Sequence, residues 1–300
     1  MDLNSYLMFW VCVFGLCLGS FYNVVILRSL SGESIVFPPS KCPKCGNKLK
    51  PWHNIPVLSY IFLRGKCHFC KEPISIQYPI IELLTMLLFA LSFWKFGLSY
   101  TTLFVIFWLS CLLIMTTTDI KEKLVDCNIA IALALSGILY AGIANGMHGV
   151  LHSALGLIAG ALLMELIARA GFVIAKTRAM GEADTYVAGA LGAIFGIFSI
   201  VKVLLISLFA SMVFIIPVFL YNKYKSNDKE TLISAILFTL SLVTFYTMWQ
   251  NYWTLGCVVL TGFALTRFVL KGINKSENRN YLPYVPALAA AAMYYIFFVL

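Results

Sequence analysis

Apolar residues in this chain fall in long runs with almost no charge, and polar residues gather in the gaps between them. A run of about twenty such residues is long enough to cross a bilayer as an α-helix, which satisfies its own backbone hydrogen bonds. The pattern predicts helices at roughly 6–28, 77–97, 99–118, 128–147, 150–174, 186–199, 200–221, 231–249, 252–270 and 283–300. The boundary near Ser199 is the faintest, and 186–221 also reads as one long broken element. The first run, Tyr6 to Leu27, ends at Arg28 without a small-residue cleavage site and reads as a retained helix. The expected organisation is a first span within 1–30, a polar loop over 31–76, a bundle over 77–225, a further hairpin over 226–280 joined near Gln250-Asn251, and a last span over 281–300.

Composition turns that pattern into a class. With 61% hydrophobic and 12% charged residues and a mean hydropathy of +0.88, a soluble domain is excluded. The expectation is an all-α polytopic membrane protein with about 8–10 transmembrane helices. The net charge of +9 would point to nucleic acid in a soluble protein, but here the bases lie between spans. If the loop after the first helix is cytoplasmic, only Lys95 and Lys202 of the 22 basic residues fall on the other side. That asymmetry follows the positive-inside rule, sets the orientation and makes the bilayer, with no nucleic acid, the partner it explains.

The polar loop carries its own chemistry. Cys42-Pro43-Lys44-Cys45 and Cys67-His68-Phe69-Cys70 are two CxxC pairs separated by 21 residues. Two such knuckles supply four thiolates, the ligand set of a tetrahedral structural zinc site. A reducing cytosol disfavours disulfides, and a loop with few large apolar side chains gains order from metal. Cys42, Cys45, Cys67 and Cys70 are therefore the expected zinc ligands, leaving His53 and His68 outside a filled shell. The remaining cysteines, 12, 17, 111, 127 and 257, read as small packing residues in or beside apolar spans.

Acids at the ends of apolar spans are the other chemical signal. Asp184 stands where an apolar run begins; one reading makes it a helix cap in interfacial water, the other a functional group. Asp119 tips the balance, since two helices separate it from Asp184 and an even number of crossings returns the chain to one side. Two carboxylates brought together in a partly dry site share a proton, so that one can activate water while the other donates. Glu122, Asp126 and Glu182 lie close enough in sequence to compete for these roles.

Gly19-Ser20-Phe21-Tyr22-Asn23-Val24-Val25-Ile26, the paired CxxC loop, Asn54-Ile55-Pro56-Val57-Leu58-Ser59-Tyr60, Leu63-Arg64-Gly65-Lys66-Cys67 and Tyr78-Pro79-Ile80-Ile81-Glu82-Leu83-Leu84 together resemble the type IV prepilin peptidases. The likeness returns around Asp119, Asp184 and Leu282-Pro283-Tyr284-Val285-Pro286. It implies a membrane aspartic endopeptidase of a prokaryotic inner membrane that removes the basic leader of prepilins or pseudopilins at the cytoplasmic face. It further implies methylation of the new N-terminus with S-adenosylmethionine. The family's catalytic pair is an Asp at a span end and the Asp of a GxGD motif; these map onto Asp119 and onto Asp184 in Gly181-Glu182-Ala183-Asp184.

Three positions depart from that pattern. Ala183 replaces the motif's second glycine, which would matter if the backbone there needed a positive φ. Tyr186 stands where a lysine is usual, and Asp126 where a proline is usual, with Cys127 after it. The stretch 226–280 is additional, and as a hairpin it would leave the direction of the last span unchanged. Glu82, early in the second span, is a secondary candidate whose plainer reading is a hydrogen bond to a neighbouring helix. Rival classes are an aspartyl membrane protease with other substrates, a non-enzymatic zinc-binding membrane protein, and a transporter, for which only Glu165 offers a mid-helix ionisable group.

Overall fold

The computed structural model describes residues 3–37, 39–175, 181–225 and 284–299, with side chains placed up to 169 in the second block and up to 211 in the third. In chain order the helices are α1 (Leu3–Ser31), α2 (Leu58–Phe62), α3 (Gln77–Phe96), α4 (Tyr100–Glu122), α5 (Cys127–Ala175), α6 (Glu182–Lys225) and α7 (Val285–Tyr294). A single π-helical turn, Tyr295–Val299, continues α7. Extended pairing among the described residues is confined to two isolated bridges, Lys41 with Lys48 and Lys66 with Pro73. Five of these helices are long and apolar enough to cross a membrane. The protein is an all-α polytopic membrane protein, and the 231–249 and 252–270 runs lie outside the described residues.

Two of the long helices are each a pair of antiparallel arms. α5 breaks at Gly146, whose φ of 59° only glycine adopts freely, and the chain doubles back so that Val150 reaches the face of Gly142. α6 breaks likewise at Gly196, with φ 79°. This places the division expected near Ser199 a few residues earlier, at the one residue there that tolerates the turn. The second arm of α5 and the first arm of α6 approach backbone to backbone where Gly156 faces Gly192 and Gly160 faces Ala188. Bulky apolar side chains such as Leu135, Leu139, Leu155 and Leu162 are exposed on α5; at membrane depth these meet lipid.

The buried core joins α4, α5, α6 and α7 through Trp108, Met115, Leu133, Leu191 and Leu288. Polar pairs lie inside it: the Trp108 indole N–H donates to Ser136 Oγ at 3.1 Å and the Tyr295 hydroxyl to Ser199 Oγ at 2.9 Å. Helix α7 is fastened at its far end too, because Lys95 Nζ on α3 donates to the carbonyls of Ile296 and Phe297 at 2.8 and 2.9 Å. A cation is a favoured partner for carbonyls in the closing turn of a helix.

Candidate active site and metal-binding loop

Asp119 lies in the last turn of α4 and Asp184 in the first turn of α6, both 6% exposed. Their rivals separate from them by burial: Glu122 and Glu182 are exposed. Asp126 is occupied as the cap of α5, its Oδ1 accepting the Asn128 N–H at 2.9 Å. Glu165, the ionisable group a transporter would have used, makes a 2.8 Å ion pair with the exposed Arg169 one turn on.

The first turn of α6 explains how Asp184 is held. Its Oδ2 accepts the Gly181 N–H at 3.0 Å while its own N–H donates to Gly181 O at 3.3 Å, the reciprocal pairing of a helix start. Asp184 therefore caps its helix and is buried as well; the two readings of the residue are not exclusive. Ala183 sits inside the helix and is not among the positive-φ residues. The backbone there does not require a glycine.

Asp119 is held from another direction. The last helix begins Tyr284-Val285-Pro286, and Pro286 has no N–H to offer. Val285 N–H, at the positive end of α7, donates to Asp119 Oδ2 at 3.1 Å. At the C-terminus of α4, Lys123 adopts the left-handed conformation, φ 55° and ψ 34°, and closes the helix by donating its N–H to Asp119 O at 3.0 Å. Its ammonium also acts on the Asp119 carboxyl. The field of the exposed Lys123 thus acts on Asp119 from the end of α4, although Tyr186 supplies no cation from α6.

Asp119 and Asp184 are near enough to interact electrostatically, and Asp184 in turn acts on the Tyr284 phenol. That hydroxyl lies 2.8 Å from Ser207 Oγ on the second arm of α6. The acids, Tyr284 and the start of α7 therefore form one buried cluster at the ends of α4, α6 and α7. Tyr284, Ser207 and the Val285 N–H were not singled out by the sequence, although the Leu282-to-Pro286 motif contains two of them. His148 and His152 line a separate cavity of 460 Å³ at the far end of the bundle, between the turns at Gly146 and Gly196.

In the loop, the four cysteine sulfurs lie within 4.8 Å of one another, with Cys42 Sγ 4.0 Å from Cys70 Sγ, and none is in a disulfide. A tetrahedral shell with metal–sulfur bonds of about 2.3 Å needs sulfur edges of about 3.8 Å, so the four residues fit one ion. The two knuckles repeat one geometry. Gly46 N–H donates to Cys42 O and Lys71 N–H to Cys67 O, with Gly46 at φ 73° and Lys71 at φ 62°. Backbone N–H groups of Cys70 and Phe69 pull the Cys67 thiol down to about 7, toward the thiolate that binds metal. The His53 and His68 rings meet at a tilt, centroids 5.0 Å apart, outside the sulfur cluster.

Two family descriptions match the chain: Bacterial Peptidase A24 N-terminal domain over residues 13–96 and Type IV leader peptidase family over residues 104–216. A Neisseria gonorrhoeae protein described as a prepilin leader peptidase/N-methyltransferase is 32% identical over 219 residues, 65% of this chain and 76% of that one. The chain belongs to the type IV leader peptidase family. A Myxococcus xanthus protein with the same description is 36% identical over 200 residues, covering 67% of this chain and 58% of its own length. A third, from Bacillus subtilis, is 37% identical over 156 residues, 52% of this chain and 62% of that one. No solved structure gives a significant match. Within the leader peptidase family match fall α4 from Phe104, α5 and α6 up to 216, hence both buried aspartates, and the four cysteines fall within the N-terminal match; α7, which holds Asp119, lies beyond both.

Proposed function

We propose that this protein is a membrane-embedded aspartic endopeptidase that removes the leader from type IV prepilins or pseudopilins at the cytoplasmic face and N-methylates the product. The observation that carries the reading is the burial of two carboxyls from remote parts of the chain in one cluster at the membrane edge. Asp119 accepts a helix N-terminal N–H and lies in the field of the exposed Lys123, and is assigned as the base. Asp184 is assigned as the acid. A substrate whose apolar helix lies in the bilayer presents its scissile carbonyl at that level. Asp119 takes a proton from water as the new C–O bond forms, while the Asp184 proton hydrogen-bonds the developing oxyanion. Collapse of the tetrahedral intermediate breaks the C–N bond, and the proton held by Asp119 passes to the leaving amine.

Zinc is the proposed ion of the loop, held by Cys42, Cys45, Cys67 and Cys70, where it would tie the two knuckles together. Methyl transfer draws on the relatives' names, with S-adenosylmethionine as donor, and no residue of this chain is assigned to it. The test follows cleavage of a prepilin by the full chain in lipid, comparing Asp119→Asn and Asp184→Asn with the parent. Each variant is expected to lose at least about 10²-fold in rate. Parental cleavage by both variants would refute the assignment. Methyl incorporation into a pre-cut peptide tests the second activity separately.

A further inference from the structure

We propose that the segment from Trp52 to Phe62 is an interfacial anchor that lays its apolar face on the anionic phospholipid surface of the protein's own membrane. The short helix α2 cannot bury itself by packing: Leu58, Ile61 and Phe62, at the i, i+3 and i+4 spacing of one helical face, are 52%, 61% and 81% exposed. Trp52 and Ile55, just before it, are 58% and 45% exposed. An exposed apolar face of this kind on a surface element marks a contact.

The occupant is set by where α2 is held. Both ends of the loop are covalently joined to spans, at Ser31 and at Gln77. More restrictively, the Val57 N–H, which starts α2, donates to Glu82 Oε2 at 2.7 Å. Glu82 lies in the second turn of α3, is 5% exposed, and also meets Ser20 of α1. Val57 takes a φ of 59° to make this bond, an unfavourable conformation for a β-branched residue that persists only where its surroundings fix it. The start of α2 is thereby pinned at the depth of the first turns of a transmembrane helix, and its apolar face lies at the lipid boundary.

Charge selects the lipid. Residues 39–76 carry seven Lys or Arg, all exposed, against the single acid Glu72. Lys50 lies over the Trp52 ring at 5.2 Å, and Arg64 and Lys66 follow α2 directly. Apolar side chains interleaved with bases on a membrane-proximal segment are the composition that binds anionic bilayers, each base adding about 1 kcal/mol near the surface.

The experiment is amide hydrogen exchange on the full, metal-loaded chain in nanodiscs of phosphatidylcholine alone or with phosphatidylglycerol. Exchange over residues 57–63 is expected to be about 5-fold slower or more in the anionic discs, the factor equivalent to one engaged base. The Arg64→Glu/Lys66→Glu variant should lose that difference, and Phe62→Asp should speed exchange in both lipids, with metal per chain unchanged in each. Equal exchange in the two lipids, or protection that arises only on adding a prepilin, would overturn the proposal.

Discussion

Two glycines on the first arm of α6 provide a matched test of how Asp184 is positioned. At Gly189 an added methyl would meet its nearest neighbours, the Ala161 side chain and Leu157 O, at 3.4 Å, an ordinary contact. At Gly192 it would overlap Gly156 O, stand 2.7 Å from the Gly156 carbonyl carbon and lie 3.2 Å from Leu157 N. All three are backbone atoms of the neighbouring arm, which cannot swing aside as a side chain can. Relief needs the two arms to part by about 1 Å. Both alanines gain about 1 kcal/mol of helix propensity over glycine, so that gain cancels in the comparison. What remains is the overpacking at Gly192, about 1–3 kcal/mol. Because Asp184 rides on the same arm, a displacement of this size is expected to slow cleavage by about 10²-fold in Gly192→Ala, with Gly189→Ala near the parent. The assay is the initial rate of prepilin cleavage beside thermal unfolding in detergent. Equal rates and equal unfolding for the two alanine variants would refute the reasoning.

Tyr284→Phe removes the bond to Ser207, whose hydroxyl retains Leu204 O as acceptor. The expected loss is about 0.5–1.5 kcal/mol of stability, with a lowered kcat for prepilin and its KM little changed. Lys95→Met strips the cation from the Ile296 and Phe297 carbonyls and should cost about 1.5–3 kcal/mol in unfolding measurements, largely restored by Lys95→Arg. Metal binding must displace the protons of all four cysteines, so a chelator should strip the loop more readily as the pH falls. Metal content per chain measures this, and Cys42→Ser should lower it at every pH.

What the sequence disclosed was whatever depends on order and side of the membrane. Asp119 and Asp184 could be put on one side by counting crossings, and the cysteine knuckles by spacing, since both follow from local chain geometry. Those acids differ from Glu122 and Glu182 in burial and from Asp126 in that its carboxylate caps α5, and no periodicity shows either difference. The backbone donors were illegible: Val285 N–H on Asp119 and Val57 N–H on Glu82 belong to the main chain, which every residue shares. For Glu82, the expected partner on a neighbouring helix exists in Ser20, yet the 2.7 Å bond goes to the loop. The concern over Ala183 assumed a turn where the chain is already helical. Gly196 lets α6 reverse, and nothing in the apolar pattern around it sets it apart from the other glycines of that run.

Helix α7 is registered at both ends by parts of the chain that come before residue 226: Asp119 receives its first N–H, and Lys95 donates to the Ile296 and Phe297 carbonyls of the turn that continues it. Its depth and rotation are therefore dictated by α3 and α4 rather than by the covalent tether leading into it. Evolution can lengthen or shorten that tether, provided the number of crossings stays even, without retuning the acids. If the 226–280 stretch is the hairpin its apolar pattern predicts, it alters the tether in this way and leaves both fastenings of α7 in place.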